Sequence, residues 1–109
     1  MATAAAQARL LSLTMYKSDL EFKLMSLMNQ RQALTYQSQE YAAMYAQAGC
    51  STQLQNDAYA VQIQKQEELI EAEQTVLETQ IKEVNEEKQG IEELVKNNIK
   101  KDFKINFGS

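Results

Sequence analysis

Leu13, Leu20, Leu27, Leu34 and Tyr41 recur every seven residues, and so do Ile63, Ile70, Leu77, Val84 and Ile91. Such a spacing drifts slowly around an α-helix and makes a continuous apolar seam along it. Leu10 and Leu24 widen the first seam, and Ile81 and Val95 widen the second. The two series mirror each other. Taken in opposite order (13 with 91, 20 with 84, 27 with 77, 34 with 70, 41 with 63), the pairs all lie symmetrically about residue 52. The strong turn signal Gly49-Cys50-Ser51-Thr52 falls at the same place. Gly49 suits the left-handed position just beyond a helix end. Ser51 or Thr52 suits the cap of a following helix, and Thr52 with Gln55 fits a capping box. Seam and turn are independent signals. Together they predict an all-α chain folded as a long, coiled-coil-like antiparallel two-helix hairpin.

The residues between and around the seams agree with this. Proline is absent, and the three glycines are Gly49, Gly90 and Gly108. Without proline nothing interrupts a long helix, and turn-rich α/β or all-β folds lose their usual punctuation. We expect one domain over residues 1–109: a first arm over about 3–48, a turn at 49–52, a second arm over about 53–102 and a tail at 103–109. At 1.5 Å per residue each arm would measure roughly 65 to 75 Å. Gly90 falls inside the second arm, where it either admits another helix at close range or marks a bend. The tail Phe103-Lys104-Ile105-Asn106-Phe107 alternates apolar and polar residues, as a short extended segment or an added strand does.

Charged residues interrupt both seams: Lys17 and Arg31 in the first, Glu67 and Lys88 in the second. Their long side chains can snorkel to water. Alternatively, Lys17 with Glu86 or Glu87, and Arg31 with Glu71 or Glu73, would pair across the hairpin and fix its register.

The first arm carries more apolar surface than a hairpin requires. Leu11, Met15, Phe22 and Met25 lie roughly 120° to 200° around the helix from Leu13, and Tyr36 extends that stripe. A hairpin buries one face of each arm, so this stripe faces water, at about 25 cal/mol per Å² of apolar area. Exposed patches of this kind mark contact surfaces. A second helix that folded back into a compact three- or four-helix bundle would cover the stripe internally. A continuous second helix would leave it to another chain.

The net charge is −4. Residues 1–50 carry four basic and three acidic side chains, and residues 51–109 carry seven basic and twelve acidic ones. An acidic chain is poorly suited to the phosphate backbone of nucleic acid. The lysines Lys96, Lys100, Lys101 and Lys104 match the negative end of a helix. Histidine is absent, which removes the commonest general base and metal ligand. Glu67/Glu71 and Glu83/Glu87, one turn apart, read as a solvated face. The single cysteine, Cys50, has no histidine to activate it and no intrachain disulfide partner. No Gly-rich phosphate loop or nucleophile elbow occurs. We therefore expect no catalysis, no cofactor, no metal and no small-molecule substrate. No apolar run approaches the roughly 18 residues of a membrane span, and no cleavable signal is visible at the start. A cytoplasmic location is the default, with export through an uncleaved signal as the alternative.

Ala8-Arg9-Leu10-Leu11-Ser12-Leu13-Thr14 with Lys17-Ser18-Asp19-Leu20-Glu21-Phe22, and Val95-Lys96-Asn97-Asn98-Ile99 with Phe103-Lys104, resemble the opening and ending of a group of short uncharacterised bacterial helical proteins. In size and architecture the chain also resembles type III secretion needle subunits and WXG100-type secreted hairpins. It has Ala48-Gly49-Cys50 where the latter carry Trp-x-Gly, and no proline where needle subunits carry turn prolines. These resemblances imply a helical hairpin that assembles, and they carry over no functional residue. The sequence thus leads to a non-catalytic structural subunit. It would self-assemble into a bundle, filament or secretion-related assembly through Leu11, Met15, Phe22, Met25 and Tyr36. The alternative is an adaptor or chaperone that binds a partner's amphipathic helix.

Overall fold

The computed structural model describes residues 2–49 and 57–106, with side chains over 4–49 and 57–101. Two helices, α1 (Ala2–Gln47) and α2 (Ala58–Asn106), make up the fold and pack against each other as a helical hairpin. Among the described residues there is no strand. The α2 helix runs without interruption, so it does not fold back to form a three- or four-helix bundle.

Helix α1 ends where glycine permits it to. The Ala48 amide donates to the Met44 carbonyl at 3.1 Å and the Gly49 amide to Ala46 at 3.2 Å. Gly49 itself sits at φ +72°, the left-handed conformation that lets the last carbonyls find donors. Cys50, Ser51 and Thr52, the rest of the expected turn, lie outside the described residues. Helix α2 is described from Ala58, and its expected start at residue 53 lies outside the described residues. Its N-cap is Asp57: the Asp57 carbonyl accepts the first helical bond from Val61 at 3.0 Å. One carboxylate oxygen, Oδ1, accepts the amides of Tyr59 at 2.9 Å and Ala60 at 3.1 Å. Aspartate caps a helix as well as serine does and adds a negative charge at the positive end of the helix dipole. The far end differs from expectation. Residues 103–106 continue the helix, because neither proline nor glycine intervenes before Gly108.

Packing divides the chain into two units, Met1–Phe22 with Glu78–Ser109, and Lys23–Leu77. In the first, Leu13 and Leu20 of α1 and Val84 of α2 are buried. Arg9 spans to α2, where its Nη2 meets Glu87 Oε1 at 2.6 Å. In the second, Leu27 and Ile63 are buried, Leu34, Tyr41, Ile70 and Leu77 are half-buried, and Arg31 Nη1 donates to Gln74 Oε1 at 2.8 Å. None of the ten seam residues is exposed.

The cross-hairpin partners differ from those expected. Lys17 pairs along its own helix with Glu21 at 3.7 Å, rather than with Glu86 or Glu87. Arg31 takes a neutral amide in place of Glu71 or Glu73. Arg9, which mirror symmetry about residue 52 sets beside Val95, reaches Glu87 instead. In the second unit the expected register holds, since Gln74 is the residue next to Glu73, the mirror position of Arg31. In the first, Arg9 meets Glu87 about two turns short of its mirror position, a distance that two long, exposed side chains span.

Candidate functional surface

The helix α1 is apolar on two opposite sides. Its inward seam is sealed, with Leu13, Leu20 and Leu27 between 3% and 7% exposed. Its outward stripe is open. In the first unit Leu11 (64%), Met15 (63%) and Phe22 (74%) face solvent, and in the second Met25 (64%) and Tyr36 (66%) do so. Leu11 and Phe22 are eleven residues apart, as are Met25 and Tyr36. Eleven residues make almost exactly three helical turns without the drift of a heptad, so each pair stands in line along α1. Between them the same line carries Ser18 and Asn29. Apolar side chains on opposite faces cancel, which is why α1 as a whole has almost no one-sided amphipathic character while α2 has a clear one.

Two adjoining grooves open along the second unit. One is lined by Lys23 and Leu27 of α1 and by Leu69, Ala72, Glu73 and Val76 of α2, among others. The other continues it with Gln30, Ala33 and Leu34 opposite Gln66, Leu69 and Ile70. Leu69 belongs to both and is 65% exposed; Val76 is 55% exposed. These α2 positions follow from the seam. Leu69 precedes Ile70 and Val76 precedes Leu77, so each lies about 100° off the seam line and outside the hairpin interface.

A third feature joins α1 to the start of α2. The phenols of Tyr41 and Tyr45 each donate to Asp57, Tyr41 to Oδ1 at 2.8 Å and Tyr45 to Oδ2. The Tyr41 ring packs against Tyr45 (centroids 5.2 Å apart) and edge-on against Tyr59 (4.7 Å), the geometry that aromatic quadrupoles favour. The bonds from Tyr45 and then Tyr41 hold the Asp57 carboxyl below the usual carboxylate range. The same bonds to Asp57 push both phenols above their ordinary value. The signal for this cluster was present in the sequence. Tyr41 and Tyr45 sit one turn apart on α1, and Asp57 is a strong capping residue directly before a helical run.

Among the described residues no three His, Cys, Asp or Glu side chains gather as a metal site would require. The Asp57 oxygens are already occupied by two phenols and two amides. Among the described residues no helix is long and apolar enough to cross a membrane. The charged groups on the far part of α2, with Gln89, Glu92, Glu93 and Lys96 around a shallow depression, are solvated. Comparison with protein-family models, curated proteins and solved structures finds no match for this chain.

Proposed function

We propose that the chain is a non-catalytic structural subunit, a helical hairpin that assembles with copies of itself through the outer stripe of α1. One observation carries this reading: Leu11, Met15, Phe22, Met25 and Tyr36 are all between 63% and 74% exposed, while the opposite face of the same helix is closed. Hydration of five large apolar side chains is unfavourable by several kcal/mol at about 25 cal/mol per Å². Packing against another helix removes that cost. The residues alternating with them, Ser18 and Asn29, are small or uncharged and leave room for a neighbour's side chains to interlock.

The test is the assembled mass of the purified chain, by light scattering and negative-stain microscopy, against that of Phe22→Glu. Phe22 supports no part of the hairpin seam, so the variant keeps its helical circular dichroism. It loses the assemblies that form through the stripe. Assemblies of unchanged size in Phe22→Glu would refute the stripe as the contact. A wild-type chain that stays monomeric at every concentration would refute self-assembly, and would favour an adaptor that holds a partner's amphipathic helix against the same residues.

A further inference from the structure

We propose that the outer stripe of α1 pairs with the same stripe of a second copy in antiparallel orientation, about a two-fold axis that crosses α1 between Lys23 and Leu24. This rests on the self-assembly reading and goes further, because it fixes which residue meets which. The exposed positions Leu11, Ser18, Met25 and Gln32 repeat every seven residues, and so do Met15, Phe22, Asn29 and Tyr36. Interleaved, the two series alternate by four and three, the spacing of a coiled-coil seam. Helix α1 thus carries two heptad seams. One is closed by α2, and the other lies nearly opposite and is open.

The order of residues along the open seam selects its partner. In an antiparallel pair about this axis, residues equally far from it come level. Leu11 then meets Tyr36 of the second copy, Phe22 meets Met25 and Ser18 meets Asn29, and the axis repeats each contact, as an isologous interface must. The half of the stripe in the first unit therefore packs on the half in the second unit of the other copy. Large apolar groups meet each other. The enclosed Asn29 amide needs a hydrogen-bond partner, and the Ser18 hydroxyl supplies one. Met15 meets Gln32, whose aliphatic stem covers it while the amide reaches water. Sliding one copy by a heptad in either direction sets Asn29 against Leu11 or Met25, and Phe22 against Ser18 or Gln32, so polar groups are enclosed against apolar ones. A parallel pair in register would match the polar positions equally well, and here charge decides. Asp19 and Glu21 flank the stripe on its two sides. A parallel pair sets Asp19 of one copy on the same flank as Glu21 of the other, two residues apart in height, on both sides of the seam. Like charges so placed disfavour the contact. The antiparallel pair sets Asp19 beside Ser26 and Glu21 beside Met28.

Disulfide trapping in the full chain tests this, in a Cys50→Ser background where the introduced thiol is the only one. Leu11→Cys and Tyr36→Cys replace exposed side chains, so each variant keeps its helical circular dichroism. Each alone is expected to give no covalent dimer on mild oxidation, because equivalent residues of the two copies lie roughly 37 Å apart along the helices. Mixed while reduced and then oxidised, the two are expected to give a mixed dimer of twice the chain mass, since a disulfide needs Cα atoms within about 7 Å. Met15→Cys mixed with Gln32→Cys repeats the test at a second level. Covalent dimers from each variant alone, with no mixed dimer, would show a parallel pair and overturn the orientation while sparing the stripe. No mixed dimer at either level, in a chain whose assemblies Phe22→Glu dissolves, would overturn the register and likewise spare the stripe. Assemblies that Phe22→Glu leaves intact would overturn the stripe as the contact, and this pairing with it.

Discussion

Truncating leucines on the two faces of α1 separates folding from assembly. Leu20 is 3% exposed and Leu11 is 64% exposed, on one helix with the same intrinsic helix preference. Replacing Leu20 by alanine removes three carbons from a sealed seam and leaves a cavity between two helices that relax only in part. Leu→Ala changes at such sites cost about 2–5 kcal/mol. In a two-helix seam, which has few layers around it to retain the cavity, the lower half of that range is expected. Replacing Leu11 by alanine removes carbons that already face water and exchanges one good helix former for a slightly better one, so the folded monomer changes by no more than about 0.5 kcal/mol. Urea unfolding followed by circular dichroism, at concentrations low enough to hold the chain monomeric, reads both numbers. The denaturant slope should stay the same for the two variants, because neither alters the surface exposed on unfolding. Light scattering at higher concentration should reverse the order, with Leu11→Ala weakening assembly more than its effect on folding. If Leu11→Ala destabilised the monomer as much as Leu20→Ala, the outer stripe would be covered within the chain, and the argument that it needs a neighbour would fall.

Three further outcomes are expected. Gly90→Ala should raise monomer stability by about 1 kcal/mol, since a methyl group there meets nothing within 4 Å and the helix loses the entropic cost of glycine; a thermal melt checks it, and a decrease would mean that something packs on Gly90. Asp57, whose carboxyl is held below its ordinary range by Tyr45 and Tyr41, stabilises the join between α1 and α2 at pH values above that range. This contribution is lost as pH falls through the depressed value, so amide exchange of residues 58–61 should accelerate in strong acid and do so less in Asp57→Ala. The two phenols are shifted upward, so their bonds to Asp57 persist below the ordinary phenol range and fail as pH rises through the raised values. The tyrosinate absorbance of Asp57→Asn should therefore appear at lower pH than that of the wild-type chain.

The hairpin was legible because two signals with different physics agreed: a heptad seam reports burial, and Gly49 reports a backbone conformation. The start of α2 was less legible. Asp57 is a good cap by residue type, but what singles it out is tertiary: it also receives two phenols from α1, and a local capping rule does not count those. Partners across the hairpin were hardest to read. Long polar side chains choose among several acceptors near their level: Arg31 takes Gln74 beside its mirror position Glu73, and Arg9 reaches Glu87, about two turns from its mirror position Val95. The helical course of residues 103–106 was missed because alternation over five residues is too short to outweigh a helix already forty residues long.

The two apolar surfaces left open have different origins, and that difference bears on what they do. Leu69 and Val76 flank the seam. A neighbour that extends the hairpin sideways would deepen an interface that already exists. The α1 stripe lies opposite the seam, so nothing that improves the fold of one chain ever reaches it. A helix that carries leucine, methionine and phenylalanine on that far side gains no folding stability from them and bears their cost in solubility.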